Sequence, residues 1–107
     1  AATAVRAAVG LACSMIKPGV VCKDVDAATR QLLTRDGWVN SLRTAYSIGI
    51  GFYTDWGEAE LLTIDPGSEM VLAAGMVLHL IPWIQLPDAG QAVGFSDTVL
   101  VTKDGAV

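Results

Sequence analysis

A single histidine, His79, bounds the acid–base chemistry this sequence can do. Imidazole is the side chain whose ordinary charge change falls nearest neutral pH, so a Ser-His-Asp or Cys-His arrangement would have to run through it. His79 sits in the most apolar run of the chain, Met76 to Leu86, with no acidic or basic neighbour in that run. It therefore reads either as a hydrogen-bonded core side chain or as a proton carrier. The densest polar cluster is Asp55-Trp56-Gly57-Glu58, followed by Glu60. An aromatic beside carboxylates can hold a cationic ligand through cation–π and charge contacts; the alternative is a solvated loop with Trp56 packed on a sheet. A dinuclear metal site needs several carboxylates and usually a histidine, yet the later segments offer only His79, Asp88 and Asp97, so no metal is expected. Cys13 and Cys22 flank Lys17-Pro18-Gly19 without zinc-site spacing and read as buried free thiols. The glycines of Ser47-Ile48-Gly49-Ile50-Gly51 lack both a G-x-G-x-x-G and a Walker pattern, so no nucleotide or other cofactor is expected.

The chain that must position these groups has 107 residues, 52% of them hydrophobic and 17% charged, with a net charge of −4 and a mean hydropathy of +0.48. Disorder is excluded by that apolar content, and nucleic acid or an anionic membrane by the acidic balance. Met70 to Leu86 is interrupted by Gly75, His79, Pro82 and Gln85 and is too short to span a bilayer. The opening alanine-rich segment reads as a helix, not as a signal peptide, and the two free thiols suit a cytoplasmic protein. The apolar excess has two explanations: part of the surface meets another chain, or the sequence is part of a larger domain. The start at Ala1, without an initiating Met, fits the second.

Val5, Ala8, Val9, Ala12, Met15 and Ile16 recur at helical spacing, which predicts a helix over about 2–16 that Pro18-Gly19 stops. Val21, Val25, Ala28 and Leu32 stripe a second helix over about 23–36, with Asp24 and Asp26 in its first turn and Gly37 just past its end. Strands are predicted over about 47–52, 76–86 and 95–102, the middle one covered on both faces. Lys103-Asp104-Gly105 offers the turn of a hairpin whose second strand is missing. Two helices followed by a mostly antiparallel sheet make an α+β architecture in one unit spanning residues 1–107.

Taken in order, four segments resemble the C-terminal half of the pita-bread domain shared by methionine aminopeptidase, aminopeptidase P, prolidase and creatinase. They are Ile16-Lys17-Pro18-Gly19-Val20 with its following helix, Tyr46-Ser47-Ile48-Gly49-Ile50, Ala74 to Pro82, and Phe95 to Thr102 with Asp104-Gly105. The resemblance covers nearly the whole chain. Metal-dependent members bind two ions through two Asp, one His and two Glu; here Tyr46 stands at the His position, Ile81 at the Glu before Pro82, and Ser96 at the last Glu.

The resemblance therefore implies the metal-independent side of the family, an ectoine hydrolase-like or Xaa-Pro peptidase-like branch. There His79 would carry the proton, Tyr46 would donate a hydrogen bond, and Asp55, Trp56, Glu58 and Asp97 would face a cationic substrate. Gly94 stands where creatinase-like closing strands are expected to carry a Glu. If the protein is an enzyme, the implied activity is hydrolysis of a C–N bond in a small molecule or dipeptide, with no cofactor, and an isolated half is expected to be inactive. The alternatives are a non-catalytic module for binding or assembly, and a half-domain that associates with a second copy or with the missing half.

Overall fold

The computed structural model describes residues 1–35, 37–40, 42–49 and 62–107. Alanine, the strongest helix former, recurs through the first helix, α1 (Ala2–Met15), and Ala4, Val5, Ala8 and Ala12 form its buried stripe. A tight turn through Pro18 and Gly19 leads into α2 (Cys22–Arg35), which packs on α1. The first-turn N–H groups of a helix have no partners within it. Here Cys22 N donates to Met70 O (2.8 Å) and Lys23 N to Ser68 O (2.8 Å), so an incoming loop caps the helix. At the other end Gly37 takes the left-handed conformation (φ +84°), and Trp38 N closes on Leu33 O at 2.9 Å.

Among the described residues seven strands follow: β1 (Ala45–Ser47), β2 (Thr63–Ile64), β3 (Val77–Leu80), β4 (Trp83–Leu86), β5 (Gln91–Gly94), β6 (Asp97–Thr102) and β7 (Gly105–Ala106). Five form an antiparallel sheet in the order β2-β1-β3-β6-β7, while β4 and β5 form a separate hairpin joined by a 3-10 turn. Both helices cover one side. The larger core joins Ala12, Ile16, Cys22 and Val25 to Ile64, Leu78, Leu80, Val99 and Val101; a second cluster joins Ala4, Val5, Ala8 and Leu33 to Ile84 of the hairpin.

Three strand expectations are corrected. The run 76–86 is two strands in two sheets: Ile81 N still donates to Thr44 O (2.8 Å), but Pro82 has no N–H to extend the ladder. Nor is it covered on both faces, because Leu78, Leu80 and Ile84 are buried while Trp83 and Gln85 are exposed. The hairpin turn at 103–105 does have a second strand, since β7 pairs with β6 and Val107 exchanges both backbone bonds with Leu100 (2.8 and 3.0 Å). Finally, the strand placed over 47–52 begins at Ala45 and its regular part ends at Ser47; residues 50–52 lie outside the described residues.

One buried polar network ties α2 to the sheet. Asp26, fully buried, accepts two hydrogen bonds from Arg30, to Nε (2.8 Å) and Nη2 (3.1 Å), and one from the Thr44 hydroxyl (2.7 Å). Arg30 also donates to the carbonyls of Asn40 and Leu42, which clamps the connection between α2 and β1. Removing one partner of a buried ion pair leaves the other charge without compensation, so Arg30→Met is expected to lower stability by about 3 kcal/mol. Thr44→Val should cost about 1.5–3 kcal/mol, the worth of a hydrogen bond to a charged group. Urea unfolding checks both: the midpoints should fall in that order at constant slope, and unchanged midpoints would remove the network from the stability account.

Candidate active site

The face of the sheet turned away from the helices carries a row of polar side chains. Antiparallel register sets Tyr46 of β1 opposite His79 of β3, and His79 opposite Thr98 of β6. Directly opposed residues share a face, so the three side chains form one row. The rings of Tyr46 and His79 lie 5.5 Å apart at 59°, and His79 Nδ1 is 3.1 Å from Thr98 Oγ1. Engaging Nδ1 orients the ring and leaves Nε2 for proton transfer. The half-buried His79 has both a partner and access to solvent.

Next to this row, where β3 gives way to β4 and β5 crosses into β6, lies a cleft of about 230 Å³. Its walls are His79, Ile81, Pro82, Trp83, Gly94, Phe95 and Ser96. Trp83 and Gly94 are cross-strand partners, and the indole lies across the glycine. A Cβ built at Gly94 would run into Trp83 Cε3 and lie 3.0 Å from Cζ3. A larger hollow of about 540 Å³ between the end of α2 and the β4–β5 turn shares none of these residues and holds one titratable group, Asp88.

Of the sequence-predicted site residues, the structure brings Tyr46 and His79 together. Asp97 is not with them: it is paired with Leu80, so it shares the helix-facing side of β6, and its carboxylate accepts from Thr98 N at 2.8 Å. It lies near enough to α1 to help raise the Cys13 thiol pKa, a shift due first to burial. Asp55, Trp56 and Glu58 lie outside the described residues. Both cysteines are free thiols, and neither lines the cleft. Burial is also the main cause that pushes the Cys22 thiol up, against a hydrogen bond with Ser68 that lowers it.

Two residues escaped the sequence reading. Thr98 stands on the face opposite Val99 and Val101 by simple alternation, but only the strand register places it beside His79. The signal for Trp83 was Gly94, since a glycine inside a strand marks a close approach.

Two helices over one face of an antiparallel sheet, with the polar row and cleft on the other, define part of a pita-bread domain. Residues 1–103 match metallopeptidase family M24, and the chain belongs to that family. Its structure superposes on the prolidase from Pyrococcus furiosus with a TM-score of 0.85 at 28% identity, covering 99% of this chain and 30% of that one. Among curated relatives, the agropine synthesis cyclase of Rhizobium rhizogenes is 36% identical over 100 residues, which are 94% of this chain and 24% of that protein. The ectoine hydrolase of Halomonas elongata is 30% identical over 90 residues, 83% of this chain and 22% of that protein. The chain thus spans about a quarter of the length of these relatives.

The family name implies a metal, and the donors described here do not fit one. Ile81 has no donor atom, and a neutral serine or tyrosine oxygen is a poor ligand. Among the described residues no three His, Cys, Asp or Glu side chains converge as a metal site requires.

The Trp83–Gly94 contact can be tested by itself. Gly94→Ala puts a methyl group where the indole lies and should destabilise by about 1–3 kcal/mol, as overpacking does. In a Trp83→Ala background the same change should cost much less; additivity of the two substitutions in thermal or urea melts would show that they do not touch.

Proposed function

We propose that the protein containing this chain hydrolyses a C–N bond in a small nitrogenous substrate without a metal ion, with His79 moving the proton. The observation that carries this reading is the His79 ring, held at Nδ1 by Thr98 and beside Tyr46, at a cleft lined by Ile81 and Ser96; the family resemblance, which puts metal ligands at the positions of Tyr46, Ile81 and Ser96, supports the metal-free part. In the proposed reaction His79 Nε2 takes a proton from water as its oxygen bonds to the substrate carbon. The same proton passes to the departing nitrogen as the C–N bond breaks. Tyr46 donates a hydrogen bond to the oxygen or nitrogen on which charge develops. Asp55 and Glu58, with Trp56 between them, supply the carboxylate and aromatic surface for a cationic substrate.

Relatives named for hydrolysis of ectoine and of Xaa-Pro dipeptides support the reaction class. The test is turnover of ectoine, creatine and Gly-Pro in the presence of EDTA. One of them should be hydrolysed at an undiminished rate, and His79→Ala should lower kcat by about 10²–10⁴-fold, the usual worth of a general base. Loss of activity on chelation, restored by cobalt or manganese, would overturn the metal-free mechanism. The absent donors also favour a second reading, a binding module that saturates with a partner and turns nothing over.

In either case the chain is built to associate with a second copy or with the rest of its domain. Leu100, Phe95 and Trp83 on the cleft side, and Val39 and Val71 elsewhere, are large apolar side chains left exposed. Sedimentation velocity of the 107-residue chain at micromolar concentration should show a species heavier than 11.2 kDa, and a stable monomer alone would rule out self-association.

A further inference from the structure

We propose that Thr44, anchored to Asp26 on α2, is a positioning residue of the candidate site. It sets which side chains of β1 turn outwards, and with them the contact of Tyr46 with His79 and the seat of Ile81 in the cleft wall. This rests on the reading of the Tyr46–His79 row as the site and names the residue that holds the row from behind.

Thr44 is fully buried, and each of its polar groups is engaged by a different part of the fold. The hydroxyl donates to Asp26 Oδ1 on α2 at 2.7 Å. The backbone N–H donates to Ile64 O of β2, and the carbonyl accepts from Ile81 N just after β3, both at 2.8 Å. Ile81 lines the cleft, and Tyr46 follows two residues after Thr44. Side chains along an extended chain alternate between the two faces. Here the alternation begins only after Thr44: the chain bends at that residue, and both Thr44 and its neighbour Ala45 are fully buried. From that point the phase is fixed, with Ala45 in the core and Tyr46 in the row.

The strand has little of its own with which to fix that phase. β1 is three residues long, and the one side chain it gives to the core is the methyl group of Ala45. A strand with so weak an apolar pattern specifies its register weakly. The anchor supplies what the pattern lacks. Two bonds from Arg30 hold the Asp26 carboxylate, and the carbonyls of Asn40 and Leu42 hold Arg30, so the acceptor offered to Thr44 has a fixed position. A hydrogen bond to such a charged acceptor is short and strong. Asp26 and Arg30 give no side chain to the cleft, so their effect on the row passes through the backbone on either side of Thr44. A hydroxyl is what the position requires: serine keeps it, and valine keeps the branched shape without it.

The experiment reads the row without turnover. His79 is the one histidine of the 107 residues, so its imidazole C–H signals in an NMR spectrum need no assignment. An aromatic ring displaces the signals of nuclei close to it, and the Tyr46 ring centroid is 5.5 Å from that of His79. Tyr46→Leu gives the signals without that ring. At one pH above the ordinary imidazole range and well below the melting temperature, Thr44→Val should move them most of the way to the Tyr46→Leu positions, and Thr44→Ser should leave them in place. Leu33→Ala, which loses stability by opening a cavity in the other core cluster, should also leave them in place. Should Thr44→Val not fold, Arg30→Lys is read in its stead; it keeps the charge beside Asp26, gives up the carbonyl contacts and should displace the signals in the same direction. Signals unmoved in the folded variant, or moved as far by Leu33→Ala, would overturn the proposal. In a protein that turns over substrate, Thr44→Val should lower kcat and leave KM little changed, with Thr44→Ser restoring the rate. The expected displacements in a protein that hydrolyses nothing would uphold the positioning role and remove the catalytic reading alone.

Discussion

A carboxylate buried in the middle of a helix cannot be left alone, and much of this structure follows from how Asp26 is satisfied. An ionised group out of water needs a partner charge and hydrogen bonds to its remaining lone pairs. Arg30, one turn further along α2, supplies the charge, and Thr44, far away in sequence, supplies a hydroxyl. Because Arg30 also holds the carbonyls of Asn40 and Leu42, the chain leaving α2 is drawn back over the helix to the point where β1 starts. The register of β1 follows, with Ala45 opposite Leu80 and Tyr46 opposite His79. A one-residue slip would turn Tyr46 into the core and Ala45 towards the cleft. The ion pair thus acts on the site from the other side of the sheet.

The second constraint is a missing hydrogen. Pro82 ends the pairing of β3 and releases the chain into a separate hairpin, so the helix layer covers two sheets and not one. The cleft is the seam between them. Its walls come from both sides of that break, with His79 and Ile81 before the proline and Trp83 after it. Gly94 then lets the indole settle across β5, which closes one wall with an aromatic face where a side chain would otherwise stand.

The composition of the cleft is particular. Around the cleft stand an aliphatic side chain, a hydroxyl and an imidazole engaged by a threonine, with a phenol beside it. Asp97, a carboxylate suited by type to a cleft, belongs by register to the other side of the strand.

Much of this was legible in the residues themselves. Helical periodicity and the Pro-Gly and Gly37 punctuation are local signals, as is the alternation of Val99 and Val101 with Thr98 and Leu100, because each reflects the backbone geometry of a few consecutive residues. The order of the motifs was likewise enough to suggest the pita-bread domain. What the sequence could not contain is who stands opposite whom. The register of β3 with β6 and the bond between Asp26 and Thr44 join residues 17 or more positions apart, and the overlap of Trp83 with Gly94 depends on a hairpin whose first strand a local reading merges with β3. On its own the sequence determined the two helices, the turns that end them and the lone histidine. Tertiary structure alone decided that His79 meets Tyr46 and Thr98, that Asp97 does not join them, and that Trp83 lines the cleft, because pairing and packing are settled by contacts between segments and not within them.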